Sequence, residues 1–177
     1  MRGLSDDQKI RQLLIAIGKS ARSPGIVYLA GGASAVLIGW RDTTIDVDMK
    51  LDPEPEGVFE ALPGIKDELN INIELASPDQ FVPPFPDWKQ QSQLIAQHDQ
   101  VEFRHFDFST QALSKIERGH ERDLADVSAM VKRDLVDPRH LLIEFAEIKH
   151  QLARYPHLDA DVLEAKLEAF VRGEVHG

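Results

Sequence analysis

Two periods of apolar and polar residues run along the chain. Behind Ser5-Asp6-Asp7-Gln8, which has the form of a capping box, Ile10, Leu13, Leu14 and Ile17 recur at helical spacing and predict a helix from about Asp6 to Ser20. Ser23-Pro24-Gly25 ends it, and the apolar run Ile26 to Ala30 predicts a buried strand entering a tight turn at Gly31-Gly32, followed by a short helix from Ala33 to Trp40. From Thr43 to Leu51 the pattern changes to strict alternation. Ile45, Val47, Met49 and Leu51 fall on one face of this strand, and Thr44, Asp46, Asp48 and Lys50 on the other. Val58 to Leu62 predicts a turn or two of helix, and Ile71, Ile73 and Leu75 alternate with Asn70, Asn72 and Glu74 in another strand. The proline-rich stretch from Ser77 to Trp88 excludes a regular element. Leu94 to Gln97 and Val101 to Phe108 predict a hairpin across His98-Asp99-Gln100, with a bulge near Arg104.

Past Thr110 only the helical period remains. Helices are expected over Thr110 to Arg118, from beyond Gly119 to about Arg133, over Pro138 to Arg154, and over Asp159 to Arg172. Ser109 and Asp159 are cap candidates, and Asp137-Pro138 supplies a cap followed by proline at the first helical position. Helix, small mixed sheet, then helices is an α+β order rather than a doubly wound one. It predicts an α/β core over residues 1–108 and a helical half over 109–177 packed on it, or the two as one domain. The apolar stripe Leu141, Leu142, Phe145, Ile148 and Leu152, and the aromatic residues Trp40, Trp88, Phe103, Phe106 and Phe108, are read as packing residues.

Composition narrows the chemistry. The 177 residues carry 20 Lys and Arg against 30 Asp and Glu, a net charge of −10, which argues against coating nucleic acid or an anionic membrane by charge alone. The acidic excess is concentrated in residues 51–108, with twelve acidic residues against three basic ones. Cysteine is absent, excluding disulfides, thiol nucleophiles and Cys-ligated zinc, and the seven histidines form no His-Glu-x-x-His run. No apolar stretch approaches the roughly 20 residues of a membrane span. Met1 to Gln8 is polar rather than a signal-peptide core, so the chain is read as soluble and cytoplasmic.

Against that background one segment carries chemistry. Gly31-Gly32-Ala33-Ser34 is followed, fourteen residues after Gly32, by Asp46-Val47-Asp48. Period two puts both Asp side chains on one strand face, about 7 Å apart along the chain. Two like charges so close call for a cation, and hard carboxylate oxygens suit Mg²⁺ (or Mn²⁺), bound through a few carboxylates, waters and substrate phosphates. A glycine pair lets backbone N–H groups approach phosphate, with Ser34 as a hydroxyl donor. Taken alone, the glycine pair is an ordinary turn and the Asp pair a solvated strand face. Their spacing favours a site.

Strand, Gly-Gly, helix and then Asp-x-Asp on the next strand resembles the nucleotidyltransferase (polymerase-beta-like) superfamily. In particular, YLAGGASAVLIGWRDTTIDVDMKL is similar to the glycine turn and Arg-x-Thr-x-Asp-x-Asp pattern of minimal nucleotidyltransferases of the AbiEii toxin type, and ALSKIERGHERDLADV resembles the helical Lys…Arg-x-x-Asp-x-x-Asp segment of the same families. The resemblance implies that Gly31, Gly32 and Ser34 hold nucleotide phosphates and that Asp46 and Asp48 bind the divalent metal. It further implies that Glu74 is the third catalytic carboxylate, and that Lys115 and Asp123 support the triphosphate and acceptor from the helical half. Arg41 contacts phosphate in this reading or pairs with an Asp; Lys115 and Asp123 are otherwise surface helix residues, with Arg122 pairing Asp126. The implied activity is transfer of a nucleoside monophosphate from an NTP to a hydroxyl of a protein, RNA or small molecule, beside a cognate antitoxin partner if the toxin resemblance extends to biology. Glu stands where Asp is commoner, and Gly32 where serine is. The alternative is a catalytically silent nucleotide-binding regulator or interaction module of the same fold.

Overall fold

A computed structural model describes residues 3–176 of the chain. Among them it is an α+β protein with eight α-helices and one five-stranded mixed sheet. It divides into two compact units, Met1–Ser77 with Ser92–Phe106, and Pro78–Gln91 with Asp107–Gly177. The expected boundary near residue 108 therefore holds only in part, because the proline-rich segment 78–91 belongs with the helices. Its backbone is tied there by side chains: Thr110 Oγ1 accepts from Phe85 N at 3.3 Å, and the Tyr155 hydroxyl donates to Asp79 O at 3.0 Å.

The first unit opens with α1 (Asp7–Ser20), whose N-cap is Asp6, accepting from Lys9 N at 2.8 Å. Ser5 of the expected capping box is otherwise engaged, because its backbone bridges to Thr44 in both directions, at 2.8 and 2.9 Å. The strands are β1 (Gly25–Ala30), β2 (Asp46–Leu51), β3 (Asn72–Glu74), β4 (Leu94–His98) and β5 (Val101–His105), in the order β3-β2-β1-β5-β4. β1 runs antiparallel to β2 and parallel to β5, while β2 and β3 are parallel. Helices α2 (Gly32–Ile38) and α3 (Val58–Leu69) join α1 in covering one sheet face, where Val27, Leu29, Val47, Met49, Ile71, Ile73, Val101 and Phe103 form a core with Ile10, Leu13, Leu14 and Ile17. Each such side chain contributes about 1.5–3 kcal/mol by leaving water.

Three local expectations are corrected. α3 continues well past Leu62: Pro63 sits inside it, and burial of Val58, Leu62 and Ile65 on one face offsets a proline cost of about 3 kcal/mol. β2 begins at Asp46 rather than Thr43, so Ile45 lies outside the strand and is 55% exposed. The hairpin irregularity does fall beside Arg104 as expected, with the additional residue on β4, between Leu94 and Ala96, opposite Arg104 and Phe103. β5 itself ends at His105, because the next helix starts early.

In the second unit, α4 (Trp88–Gln91) is a single turn, followed by α5 (Phe108–Arg118), α6 (Glu121–Lys132), α7 (Pro138–Ile148) and α8 (Ala160–His176). The cap of α5 is Asp107, not Ser109: its carboxylate accepts from Ser109 N, Thr110 N and the Thr110 hydroxyl. Burial pushes that carboxyl above its ordinary pKa, against the pull of these hydrogen bonds. α7 starts as read, on Asp137 and Pro138, but passes at Lys149 into a 3₁₀ segment to Arg154. Its stripe is core as expected, with Leu141, Phe145, Ile148 and Leu152 buried.

α5 and α6 are joined by buried charge. Lys115 Nζ lies 2.9 Å from Asp126 Oδ2 and 3.6 Å from Asp123 Oδ1, and Arg118 Nη2 reaches Asp123 Oδ1 at 2.6 Å. Asp126 thus pairs inward with Lys115 rather than along the helix with Arg122. A buried ion pair adds little over a packed apolar pair, but losing one partner strands the other charge. Asp126→Ala is expected to lower the unfolding free energy by about 3–5 kcal/mol, and Lys115→Met with Asp126→Leu to cost much less, as read from urea denaturation midpoints.

Candidate functional site

The side of the sheet opposite the apolar core carries the carboxylates. Because Val47 and Met49 are fully buried, Asp46, Asp48 and Lys50 must project from the other face of β2. The register of β3 then sets Asn72 beside Asp46 and Glu74 beside Asp48. Neighbouring strands lie about 4.8 Å apart and alternate residues about 7 Å apart along a strand, so these four side chains form a small rectangle. Three corners are carboxylates. The fourth, Asn72, donates its side-chain amide to Asp46 Oδ1. Asp46 and Asp48 are half-buried, and Glu74 ends its strand and is exposed.

The glycine turn closes one end of this row. Ala30, the last residue of β1, is the register partner of Asp48, so the chain leaves β1 directly beside that carboxylate. Gly31 has φ 61° and ψ −133°, a backbone conformation that excludes other residues in practice. A Cβ there would fall 3.0 Å from Asp48 Oδ2, so a side chain at this position would crowd the carboxylate. Gly32 is glycine for a different reason. A Cβ at that position would fall 2.0 Å from Thr44 Oγ1 and 2.7 Å from Thr44 Cβ, so Thr44 fills the space a serine would take.

Other residues singled out in the sequence have different surroundings. Ser34 is fully buried, and its hydroxyl lies 3.2 Å from Leu29 O, to which it donates, and 2.9 Å from His105 Nδ1. That occupation is internal to the fold and leaves the glycine backbone, not Ser34, at the carboxylate row. Arg41 is half-buried just beyond α2, and its backbone N–H donates to Ala35 O at 3.4 Å. Lys115 and Asp123 are brought together with Asp126 and Arg118 in the second unit, where they tie α5 to α6. Sequence reading passed over Asn72, Thr44 and His105. Asn72 was visible as the polar residue two before Glu74, but only strand register shows that it meets Asp46.

The donor set at the row fits a hard divalent cation. Asp46 and Asp48 present their carboxylates on one sheet face, the donor type that such a cation takes. Among the described residues, no group of three or more His, Asp or Glu side chains is placed to hold a metal ion. No helix among the described residues is long and apolar enough to cross a membrane. Comparison of the chain with protein-family models, with curated proteins and with solved structures gives no match in any of the three.

Two outcomes follow for this region. Gly32→Ala is expected to destabilise the fold by about 1–3 kcal/mol in chemical denaturation, since Thr44 must move to admit the methyl group. Burial beside Ser34 lowers the His105 pKa from 6.5 to about 4, with the Arg11 charge adding to the effect. As pH falls through 6.5 the unfolded chain binds this proton and the folded chain does not, so stability is full above 6.5 and declines toward pH 4. The total loss is about 3 kcal/mol. Unfolding midpoints of the native chain and of His105→Gln, compared at several pH values, should show this slope only with histidine present.

Proposed function

We propose that the chain is a Mg²⁺- or Mn²⁺-dependent nucleotidyltransferase that moves a nucleoside monophosphate from an NTP to an acceptor hydroxyl. The observation that carries the reading is the carboxylate row: Asp46 and Asp48 project from one strand face, Glu74 stands in register beside Asp48, and the Gly31 backbone abuts Asp48 Oδ2. The motif order that resembles the nucleotidyltransferase superfamily, carried by the same residues, agrees with it.

In this reading Asp46 and Asp48 hold the cation, which when bound supplies charge neutralisation and Lewis-acid polarisation of the phosphates. The Gly31-Gly32 backbone takes phosphate oxygens, and Arg41 adds a cation for the triphosphate. The acceptor oxygen bonds to the α-phosphorus, the bond from that phosphorus to the bridging oxygen breaks, and pyrophosphate leaves with those electrons. Glu74, exposed at the end of β3, takes the proton of the acceptor hydroxyl. Positioning and electrostatics account for most of the acceleration in such transfers. Lys115 and Asp123 have no part in this scheme, since their charges already serve the α5–α6 pairing. The acceptor class is a protein, an RNA or a small molecule. With a net charge of −10, an RNA acceptor needs a local basic surface or a partner to hold it.

The test is incubation with each α-labelled NTP, Mg²⁺ or Mn²⁺ and a cell extract, followed by separation of RNA, protein and small molecules. The native chain should label one class, and Asp46→Ala with Asp48→Ala should abolish labelling while keeping a native-like unfolding transition. Loss of folding in that double variant makes the pair structural. Metal-dependent nucleotide binding with no labelled product instead identifies a silent binding module.

A further inference from the structure

Strand register gives Asp46 a neighbour of a different chemical kind from that of Asp48. Asp48 faces the carboxylate Glu74, whereas Asp46 faces Asn72, whose amide nitrogen donates to Asp46 Oδ1. A carboxylate side chain turns readily about its last bond, and Asp46 is only half-buried. A single amide donor removes that freedom. It also does so without adding a fourth negative charge to a rectangle that already holds three, which an Asp or Glu at position 72 would do.

We propose that Asn72 is a positioning residue for the metal-facing carboxylate of Asp46: its side-chain amide holds Oδ1 and reserves Oδ2 for the cation. The inference rests on the metal-dependent reading given above and assigns within it a role for a neutral side chain. Partners of this kind orient the groups that ligate a metal, and their loss typically weakens metal affinity or activity by about 10–100-fold. Asn suits the position because a shorter hydroxyl side chain on β3 would not span the strand spacing, while its own carbonyl oxygen remains an acceptor.

The experiment reads Mn²⁺ binding to the full chain without nucleotide, following free Mn²⁺ by electron paramagnetic resonance. Four proteins are compared: the native chain, Asn72→Ala, Asn72→Ser, and Asp46→Ala with Asp48→Ala as the baseline. Urea midpoints in metal-free buffer are measured for each. Expected is a dissociation constant about tenfold weaker in both Asn72 variants than in the native chain, with metal-free midpoints close to native, since a residue that only held the fold would shift the midpoint. If Asn72→Ala fails to fold, Asn72→Ser is read in its place. Native-like affinity in the Asn72 variants overturns this inference alone. Affinity that falls only in step with the metal-free midpoint also overturns it, by making Asn72 a fold residue. Binding by the native chain no tighter than the Asp46/Asp48 baseline overturns the metal reading and this inference together.

Discussion

The site depends on the two-residue period of β2. Val47 and Met49 are both fully buried in the core shared with α1 and α3, and that burial leaves Asp46 and Asp48 only the other face of the sheet. A slip of one residue would exchange the two sets, putting two carboxylates into the apolar layer and two apolar side chains outside it. Burying an unpaired ionised carboxylate costs several kcal/mol even after relaxation, so the slipped register lies far above the native one. The same alternation in β3 places Ile73 inside and Asn72 and Glu74 alongside the Asp pair. The carboxylate row is thus the polar half of a pattern whose apolar half holds the unit together.

The turn that follows β1 obeys a second constraint, that of close approach. Gly31 and Gly32 are adjacent in sequence but are glycine for unrelated reasons. At Gly31 the backbone adopts a positive φ next to Asp48, which concerns the site; at Gly32 the side chain is excluded by Thr44, which bridges back to Ser5 and concerns the fold. Serine at position 32 would compete with Thr44 for one volume. Ser34, in the first turn of α2, is drawn inward to Leu29 O and His105, so its hydroxyl helps seat the helix on the sheet.

Much of this was legible from residue order, and the failures have identifiable causes. Element type came through wherever a period was sustained over several residues, as in α1, β1, β2 and α5 to α8. Boundaries failed where a local signal competed with tertiary burial. The expected turn or two of helix stops at Leu62, yet Ile65 has a place in the core and α3 runs on through Pro63 and Gly64. Ser109 reads as a cap, yet Asp107 accepts from both Ser109 N and Thr110 N. The Asp46 and Asp48 pair was visible because alternation within a strand is a local property, whereas Glu74 was added only on the resemblance. The pairing of Asn72 with Asp46 was not visible, because it depends on the register between two strands separated by the whole of α3.

The charges also differ in what surrounds them, and that difference bears on which of them are structural. Lys115, Asp123 and Asp126 are all at least nine-tenths buried, and each meets an opposite charge within 3.6 Å. Charge so deeply withdrawn from water persists only when compensated, and the compensation ties α5 to α6. Asp46 is different: it is half-buried and accepts from a neutral amide while sharing its sheet face with Asp48 and Glu74. The amide satisfies an oxygen and leaves the charge in place. A fold requires the first arrangement wherever it buries ions, whereas the second concentrates negative charge without improving the packing. On the metal-dependent function proposed above, a cation arriving with a substrate would add compensation at that face, which sets the proposed chemistry on β2 and β3 and leaves the buried Lys115 network to cohesion.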